Sequence, residues 1–154
     1  MHDVPQGKQM PQQTQVAIIG AGFGGLAMAI RLLQNNIQDF VILEKAHDVG
    51  GTWRENQYPG AACDVQSHMY SLSFAAKTDW SKRYAEAPEI FAYIQSLMSS
   101  YDLKKYCQFS CEVLAAEYNQ HSCDWKLTLN NEKTLIAQFV VFASGPLHVP
   151  QIPH

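Results

Sequence analysis

The sequence is poor in charge. Asp, Glu, Lys and Arg make up 16% of its 154 residues, and the net charge is only -3, whereas about a quarter of an average soluble domain is charged. A chain with this balance has no basic surface for nucleic acid or anionic lipid, so neither is expected as a partner. Apolar residues reach 47%, which is too many for a disordered chain. The scarcity of charge indicates that part of the surface is covered by a ligand or by further protein.

Long apolar runs are also missing. No stretch approaches the roughly 20 residues that span a bilayer. The first residues are rich in Gln and Pro and lack the apolar segment of a secretory signal. We therefore expect a cytoplasmic protein that contains no membrane segment. Residues 1–14 are predicted to form a flexible tail and residues 15–154 one domain.

Paired metal-ligand motifs are absent from the sequence as well. None of the cysteines forms a C-x-x-C pair, and the histidines show no ligand spacing. In a reducing cytosol such thiols stay free. The sequence therefore predicts no metal site, and it predicts ordinary reduced thiols at Cys63, Cys107, Cys111 and Cys123.

A βαβ unit is predicted near the start of the chain. Val16–Ile19 is a short apolar run of the kind found in buried parallel strands, and Phe40–Leu43 is a second one. Leu26–Leu33 lies between them and consists mostly of good helix formers. This order predicts an α/β fold that begins as a Rossmann-like domain with a parallel sheet.

The remainder of the chain predicts a long loop, a helix and a β-meander. Residues 46–76 show no helical or alternating period, and a loop of that length is usually functional. Pro88 begins a helix with apolar residues at helical spacing. Strands are predicted at Cys107–Phe109, Glu112–Tyr118, Trp125–Leu129 and Leu135–Ala143. We expect an antiparallel meander whose last strand returns to the parallel sheet.

A glycine cluster follows the first strand. The run from Gly20 to Gly25 matches G-x-G-x-x-G, and its place between a strand and a helix is the context in which that pattern binds a dinucleotide. Gly20 would permit a tight turn, Gly22 the approach of a pyrophosphate, and Gly25 the close packing of helix on strand. The free N–H groups of the helix N-terminus would then meet the phosphates.

A carboxylate ends the second strand. Glu44 stands nineteen residues after Gly25, where an acidic side chain accepts hydrogen bonds from the ribose hydroxyls of an adenosine. The same carboxylate would repel a 2′-phosphate. The site is therefore expected to bind FAD or NAD rather than NADP. The glycine motif alone does not distinguish FAD from NAD.

Longer motifs carry a family resemblance. The chain continues with Gly50-Gly51-Thr52-Trp53 and with Tyr58-Pro59-Gly60-Ala61-Ala62-Cys63-Asp64, and Ala143-Ser144-Gly145 stands near its end. In this order they resemble motifs of the flavin-containing and Baeyer–Villiger monooxygenases, and the likeness covers nearly all of Val16 to Pro153. The resemblance implies FAD as the cofactor. It further implies NADPH as the reductant of the complete enzyme, with oxygen passing through a C4a-peroxyflavin to a ketone or a soft nucleophile.

The resemblance also implies a role for each site residue. The pyrophosphate would lie on Gly20, Gly22, Phe23 and Gly25, and the ribose on Glu44. The ribityl chain and the flavin ring would run beside Gly51, Thr52 and Trp53. Asp64 and Tyr70 would line the flavin, with Asp64 reaching toward the reacting nicotinamide and substrate as the catalytic candidate. The adenine would meet the backbone of Val113, and Gly145 would let the closing loop approach the cofactor.

Several alternatives remain open at this point. On residue type alone, Trp53 and Tyr70 could form a small loop core and Asp64 could cap a turn. Ala62 stands where several family members carry Arg, which leaves the ketone-oxidising subgroup open. The NADPH-binding and substrate part of the family is not found in the sequence, so this chain is expected not to oxygenate by itself. Other possibilities are the FAD lobe of another two-dinucleotide oxidoreductase, a plain NAD-binding module, and a non-catalytic fragment that self-associates through an uncovered face.

Overall fold

Six strands and three helices make up the regular structure of the described residues. The computed structural model describes residues 10–130, 132–147 and 152. The strands are β1 (Gln13–Ile19), β2 (Phe40–Leu43), β3 (Cys107–Gln108), β4 (Val113–Asn119), β5 (Asp124–Leu129) and β6 (Thr134–Phe142). The helices are α1 (Phe23–Gln34), α2 (Thr52–Glu55) and α3 (Ala87–Ser100), with 3-10 turns at Ser67–Met69 and Leu103–Tyr106. None of the helices in this part of the chain is long and apolar enough to cross a membrane.

The strands form one mixed sheet in the order β3-β2-β1-β6-β5-β4. Strand β1 is parallel to both of its neighbours, β2 and β6, and β3 is parallel to β2. Strands β4, β5 and β6 form an antiparallel meander. The α/β Rossmann-like fold predicted from the sequence, with a last strand that returns to β1, is confirmed.

The helices cover one face of the parallel strands. Ile18 and Ile42 on the strands pack with Ile30 of α1 and Ile94 of α3 in one buried cluster. The helical spacing of the α3 apolar residues predicts this packing. Tyr93 of α3 also anchors the segment around Leu72 and Ala75, which precedes the helix in the chain. Its hydroxyl donates to the Ala75 carbonyl at 2.6 Å and accepts from the Leu72 N–H at 3.0 Å.

The meander covers the other face. Val41 and Leu43 of β2 pack against Leu127 and Leu135 of the meander in a second buried cluster. Because both of its faces are covered, every residue of β2 is buried. That explains why Phe40–Leu43 is wholly apolar rather than alternating.

The first strand begins earlier than its apolar run. Residues 1–9 of the predicted tail lie outside the described residues, but Gln13 and Thr14 belong to β1 and pair with Ile136 and Ala137 of β6. The predicted strand start at Val16 is therefore wrong by three residues. The polar side chains of Gln13 and Thr14 give no apolar strand signal in the sequence. The two residues belong to β1 because their backbone pairs with β6.

The first helix also begins earlier than predicted. Helix α1 starts at Phe23 rather than Leu26, so Gly24 and Gly25 are helical. Packing against the sheet outweighs the low helix propensity of glycine here. The helix ends at Gln34, one residue beyond the predicted Leu33, with Asn35 as its C-cap and Asn36 at φ 61°.

Candidate functional site

A cleft of about 780 Å³ opens at the carboxyl ends of β1, β2 and β6. The chain reaches this edge three times, at Gly20, Glu44 and Ala143, each of which directly follows a strand and lines the cleft. Between β1 and β6 the strand order reverses direction. Open α/β sheets bind their ligands at such a switch point.

The glycine turn after β1 is held between the neighbouring strands. Gly20 adopts φ 105°, its N–H donates to the Leu43 carbonyl at 2.8 Å, and a Cβ on it would lie 2.6 Å from the Ala143 oxygen. A Cβ on Gly25 would lie 1.9 Å from the Gly20 oxygen. Both positions therefore require glycine, one for its backbone angle and both for close approach.

A second glycine loop meets the first across the cleft. The Gly50 N–H donates to the Ala21 carbonyl at 3.1 Å, and a Cβ on Gly51 would lie 3.3 Å from the Cα of Gly22. Gly22, Gly51 and the following Thr52 all line the cleft. The two loops, far apart in sequence, thus form one continuous backbone surface.

Glu44 is a buried carboxylate with only 5% of its surface exposed. Its Oε2 accepts a hydrogen bond from the Ala21 N–H at 2.7 Å, and its Oε1 accepts one from the Ala46 N–H at 2.9 Å. An ionised carboxylate has about four acceptor positions. The two hydrogen bonds therefore leave further acceptor capacity on the carboxylate, part of which faces Arg54.

Arg54 is the site residue that the sequence analysis missed. Its side chain is 10% exposed, lines the cleft and places Nη2 at 3.7 Å from Glu44 Oε1. The guanidinium also donates to the Asp48 and Val49 carbonyls and pairs with Glu55. The only sequence signal was its place directly after the Gly-Gly-Thr-Trp run.

Aromatic rings form the far wall of the cleft. The Trp53 Nε1–H donates to the Tyr70 hydroxyl at 3.1 Å, and the two rings meet edge to face with centroids 5.6 Å apart. Phe23 packs edge to face on Tyr70 at 5.4 Å. Burial raises the pKa of Tyr70, and the hydrogen bond from Trp53 opposes that rise. Tyr70 is thus a neutral phenol near pH 7 whose own proton is available to a ligand.

Asp64 lies on the same wall as an exposed side chain. The neighbouring Cys63 is 5% exposed, and its Sγ accepts a hydrogen bond from the Val65 N–H at 3.3 Å. Cys63 thereby anchors the backbone on which Asp64 stands. The turn anchored in this way leaves the carboxylate at the surface of the cleft.

Val113 and Gly145 lie at two other parts of the rim. Val113 begins β4 and lines the cleft together with Cys111, whose N–H donates to the Glu44 carbonyl at 2.9 Å. Gly145 belongs to the segment after β6, which Asn56 ties to the end of α2 through a 3.2 Å hydrogen bond from its Nδ2 to the Leu147 carbonyl. Every predicted site residue except Gly25 lines the cleft. Gly25 supports it from below the turn.

The thiols and histidines take no part in a metal centre in the described residues. No group of three or more His, Cys, Asp or Glu side chains there could hold an ion. The cysteines in this part of the chain are free. Burial, with a smaller contribution from the Glu44 charge, raises the pKa of the Cys107 thiol from 9.0 to about 12. Of the histidines considered from the sequence, His148 lies outside the described residues.

The fold and the cleft are those of a Rossmann-like α/β domain. Residues 18–87 match the family model described as "NAD(P)-binding Rossmann-like domain". The match includes the glycine turn, Glu44 and the second glycine loop.

The relatives of the chain include monooxygenases. A Baeyer–Villiger monooxygenase of Streptomyces coelicolor is 42% identical over 146 residues, which are 95% of this chain and 28% of the relative. A steroid monooxygenase bound to NADP superposes with a TM-score of 0.85 at 34% identity, over 92% of this chain and 28% of that one. OTEMO in complex with FAD and NADP superposes with a TM-score of 0.84 at 31% identity, over 91% of this chain and 27% of that one.

The resemblance to the Baeyer–Villiger monooxygenases is thereby confirmed. The chain is homologous to the Rossmann-like part of these enzymes and spans a little over a quarter of their length.

Proposed function

We propose that this chain binds FAD and forms the FAD-binding domain of an NADPH-dependent monooxygenase of the Baeyer–Villiger type. The observation that carries the proposal is the single cleft in which the glycine turn, the buried Glu44 carboxylate and the Trp53–Tyr70 pair come together. The relatives support FAD over NAD, since one of the superposed structures contains FAD and NADP.

The start of α1 suits the pyrophosphate of FAD. Gly22 caps the helix without a side-chain hydrogen bond, and the first turn contains no acidic residue. The free N–H groups of that turn and the helix dipole therefore favour an anion. Phe23 begins the helix and lines the cleft beside Gly20 and Gly22, while Gly25 keeps α1 close to the turn.

The adenosine half would lie between Glu44 and Val113. Glu44 keeps acceptor positions for the ribose hydroxyls, and its charge disfavours a 2′-phosphate. The backbone of Val113 would meet the adenine. On this assignment NADPH does not occupy the same cleft.

The flavin half would lie toward the aromatic wall. Gly51, Thr52 and Trp53 would run beside the ribityl chain and the ring, and Gly145 would let the closing segment approach. FAD supplies the redox chemistry and the activation of O₂ when it is bound and reduced. The residues of this chain hold and orient it and exclude water.

Two side chains could act at the reacting end of the flavin. The Tyr70 hydroxyl accepts from Trp53 and can donate its own proton to a ligand. Asp64 presents an exposed carboxylate that can accept a proton or a hydrogen bond. We assign to Asp64 the catalytic role on the nicotinamide and substrate side.

The activity of the complete enzyme goes beyond this domain. We propose that the NADPH site and the pocket for a ketone or another small organic substrate belong to the part of the relatives that this chain does not match. The 154 residues alone are expected to bind FAD without catalysing NADPH-driven oxygenation. The cytoplasm, as predicted from the sequence, stays the proposed location.

A titration with FAD tests the proposal. We expect a yellow complex with saturable quenching of flavin fluorescence. Binding should be lost in Gly22→Leu, which places a side chain in the pyrophosphate position. Gln34→Leu, at the exposed end of the same helix, should bind as the unaltered chain does. Failure to bind FAD, or tighter binding of NAD, would contradict the assignment.

Self-association is a second candidate that one feature of the surface favours. The rings of Tyr118, Trp125 and Phe142 form a chain of contacts at 5.2 and 6.1 Å. We call this group the aromatic patch. Tyr118 is 49% and Phe142 60% exposed. An exposed aromatic cluster of this kind is typical of a surface that another protein covers, and a second copy of the chain could serve.

A further inference from the structure

Arg54 lines the cleft and lies next to the Glu44 carboxylate. Its guanidinium lies between the end of β2 and the second glycine loop and is almost fully buried. Nη1 donates to the Asp48 and Val49 carbonyls, while Nη2 faces the carboxylates of Glu44 and Glu55. The side chain thus joins the acidic end of β2 to α2, the short helix that contains Trp53.

We propose that Arg54 is the positioning residue that orients Glu44 toward the ribose of a bound adenosine. This inference rests on the proposed binding of FAD and names the part of FAD that depends on Arg54. The Glu44 Oε2 is fixed by the Ala21 N–H, and the Oε1 faces both the Ala46 N–H and Arg54. Because Arg54 approaches the Oε1 side, it favours one orientation of the carboxylate.

Burial makes this partner necessary. A carboxylate with 5% exposure loses most of its hydration, and a buried charge is stable only when it is paired and hydrogen-bonded. Arg54 provides the cation within 4.0 Å of Glu44 in the described chain. Without that cation, the buried charge would lose its ion pair, and the orientation of the Glu44 carboxylate would rest on the Ala21 and Ala46 N–H groups alone.

The geometry suits arginine rather than lysine. The planar guanidinium reaches two backbone carbonyls with one nitrogen and two carboxylates with the other. A lysine ammonium is a single point charge and could not span both sets. The Arg54 side chain needs room, which Gly50 supplies. A Cβ at Gly50 would lie 2.9 Å from the Arg54 Cβ and 2.6 Å from Phe91 Cε2.

The proposal predicts a selective effect on ligands. FAD and ADP both contain the adenosine ribose, whereas FMN contains only the flavin half. Arg54→Gln should therefore weaken FAD and ADP by a similar factor, about tenfold, and leave the affinity for FMN unchanged. General damage to the cleft would weaken all three ligands.

The experiment titrates FAD, ADP and FMN by calorimetry into the unaltered chain and its variants. Arg54→Gln removes the charge and shortens the side chain but keeps it polar. Arg54→Lys keeps the charge but loses the planar contacts, so its affinity should be intermediate. Glu44→Gln and the double variant Arg54→Gln/Glu44→Gln complete a cycle. Arg83→Gln is the matched control, because Arg83 is exposed and lies outside the cleft.

The cycle separates an indirect role from a direct one. If Arg54 acts through Glu44, the double variant should bind FAD no more weakly than Glu44→Gln alone. Additive losses, or equal weakening of FMN, would overturn the inference. Circular dichroism and thermal unfolding check that each variant is folded. If Arg54→Gln does not fold, the same comparison is made with Arg54→Lys.

FAD binding and the role of Arg54 are contradicted by different outcomes. If the unaltered chain binds neither FAD nor ADP, the proposed function fails and the inference fails with it. If the unaltered chain binds both ligands and Arg54→Gln binds them equally well, only the inference about Arg54 fails.

Discussion

The Glu44 carboxylate accepts a hydrogen bond from the Ala21 N–H at 2.7 Å. This contact joins the end of β2 to the glycine turn after β1, so one side chain fixes the relative position of two strand ends. The carboxylate also serves as the hydrogen-bond acceptor for an N–H group of the turn, in place of a backbone carbonyl. Structure and proposed ligand binding therefore depend on the same carboxylate.

The first prediction concerns this contact. Glu44→Gln should lower the free energy of unfolding by about 1–3 kcal/mol, because an amide can accept from Ala21 or from Ala46 but offers an N–H to the other. Urea unfolding measures the change. Glu117→Gln is the control, since Glu117 is exposed on β4 and should change stability by less than about 0.5 kcal/mol. Equal stability of the two variants would contradict the prediction.

Adjacent glycines of α1 should respond in opposite ways to alanine. Gly25→Ala would place a Cβ 1.9 Å from the Gly20 oxygen, whereas a Cβ at Gly24 would meet the Ala143 Cβ at an ordinary 3.7 Å. We expect Gly25→Ala to lower stability by more than about 3 kcal/mol or to prevent folding. Gly24→Ala should be neutral or stabilising by up to about 1 kcal/mol, because alanine favours helix. Thermal unfolding of both variants tests this, and a mild effect at Gly25 would be the contrary result.

Removal of the Tyr70 hydroxyl should change the stability of the protein and the fluorescence of Trp53. Tyr70→Phe leaves the half-buried Trp53 Nε1–H without its acceptor and should cost about 1 kcal/mol of stability. The tryptophan emission should shift at the same time, because the surroundings of one indole change. Tyr84→Phe, at an exposed ring, should do neither. Identical emission and stability in Tyr70→Phe would show that the hydrogen bond is not formed.

Stability should fall in alkaline solution. Burial raises the pKa of Cys107 to about 12, above its ordinary value of 9.0, so the unfolded chain releases this proton first. The stability that the neutral Cys107 thiol contributes is complete below pH 9. It is lost as the pH rises toward 12, by up to about 1.4 kcal/mol for each pH unit. Burial also raises the pKa of Tyr70 and Tyr93, which adds in the same direction. Urea unfolding from pH 8 to 11 should show a smaller slope in Cys107→Ser, and an unchanged slope would refute the prediction.

The aromatic patch should govern any self-association. We expect light scattering at high concentration to give a mass above that of the monomer, and Phe142→Ser should shift it toward the monomer. Met69→Ser is the control, since Met69 is 69% exposed but lies outside the patch. A strictly monomeric unaltered chain would count against pairing through this surface.

The βαβ start could be predicted from the sequence because its signals are local. The apolar runs Val16–Ile19 and Phe40–Leu43 belong to strands with both faces covered, and their residue types alone indicate that. The G-x-G-x-x-G spacing likewise reflects local backbone needs at Gly20 and Gly25. Such patterns require no knowledge of distant contacts.

The remaining features depend on tertiary partners. Gln13 joins β1 because β6 pairs with it, and its polar side chain gives no sign of that. Arg54 reads as an ordinary loop cation until the fold brings Glu44 within 3.7 Å of it. Sequence motifs predicted many of the residues that line the cleft, whereas the ion pair between Glu44 and Arg54 on the same surface depends on the tertiary fold.

The pairing of β1 with β6 has a consequence for the order of events during synthesis. Gly20 is held by Leu43 on one side and by Ala143 on the other, and more than a hundred residues separate the turn from that second neighbour. A ribosome that has released β1, α1 and β2 has therefore not yet supplied one wall of the cleft. Cofactor capture should be a late event on the nascent chain, and until then the apolar edge of β1 stays exposed to other chains in the cell.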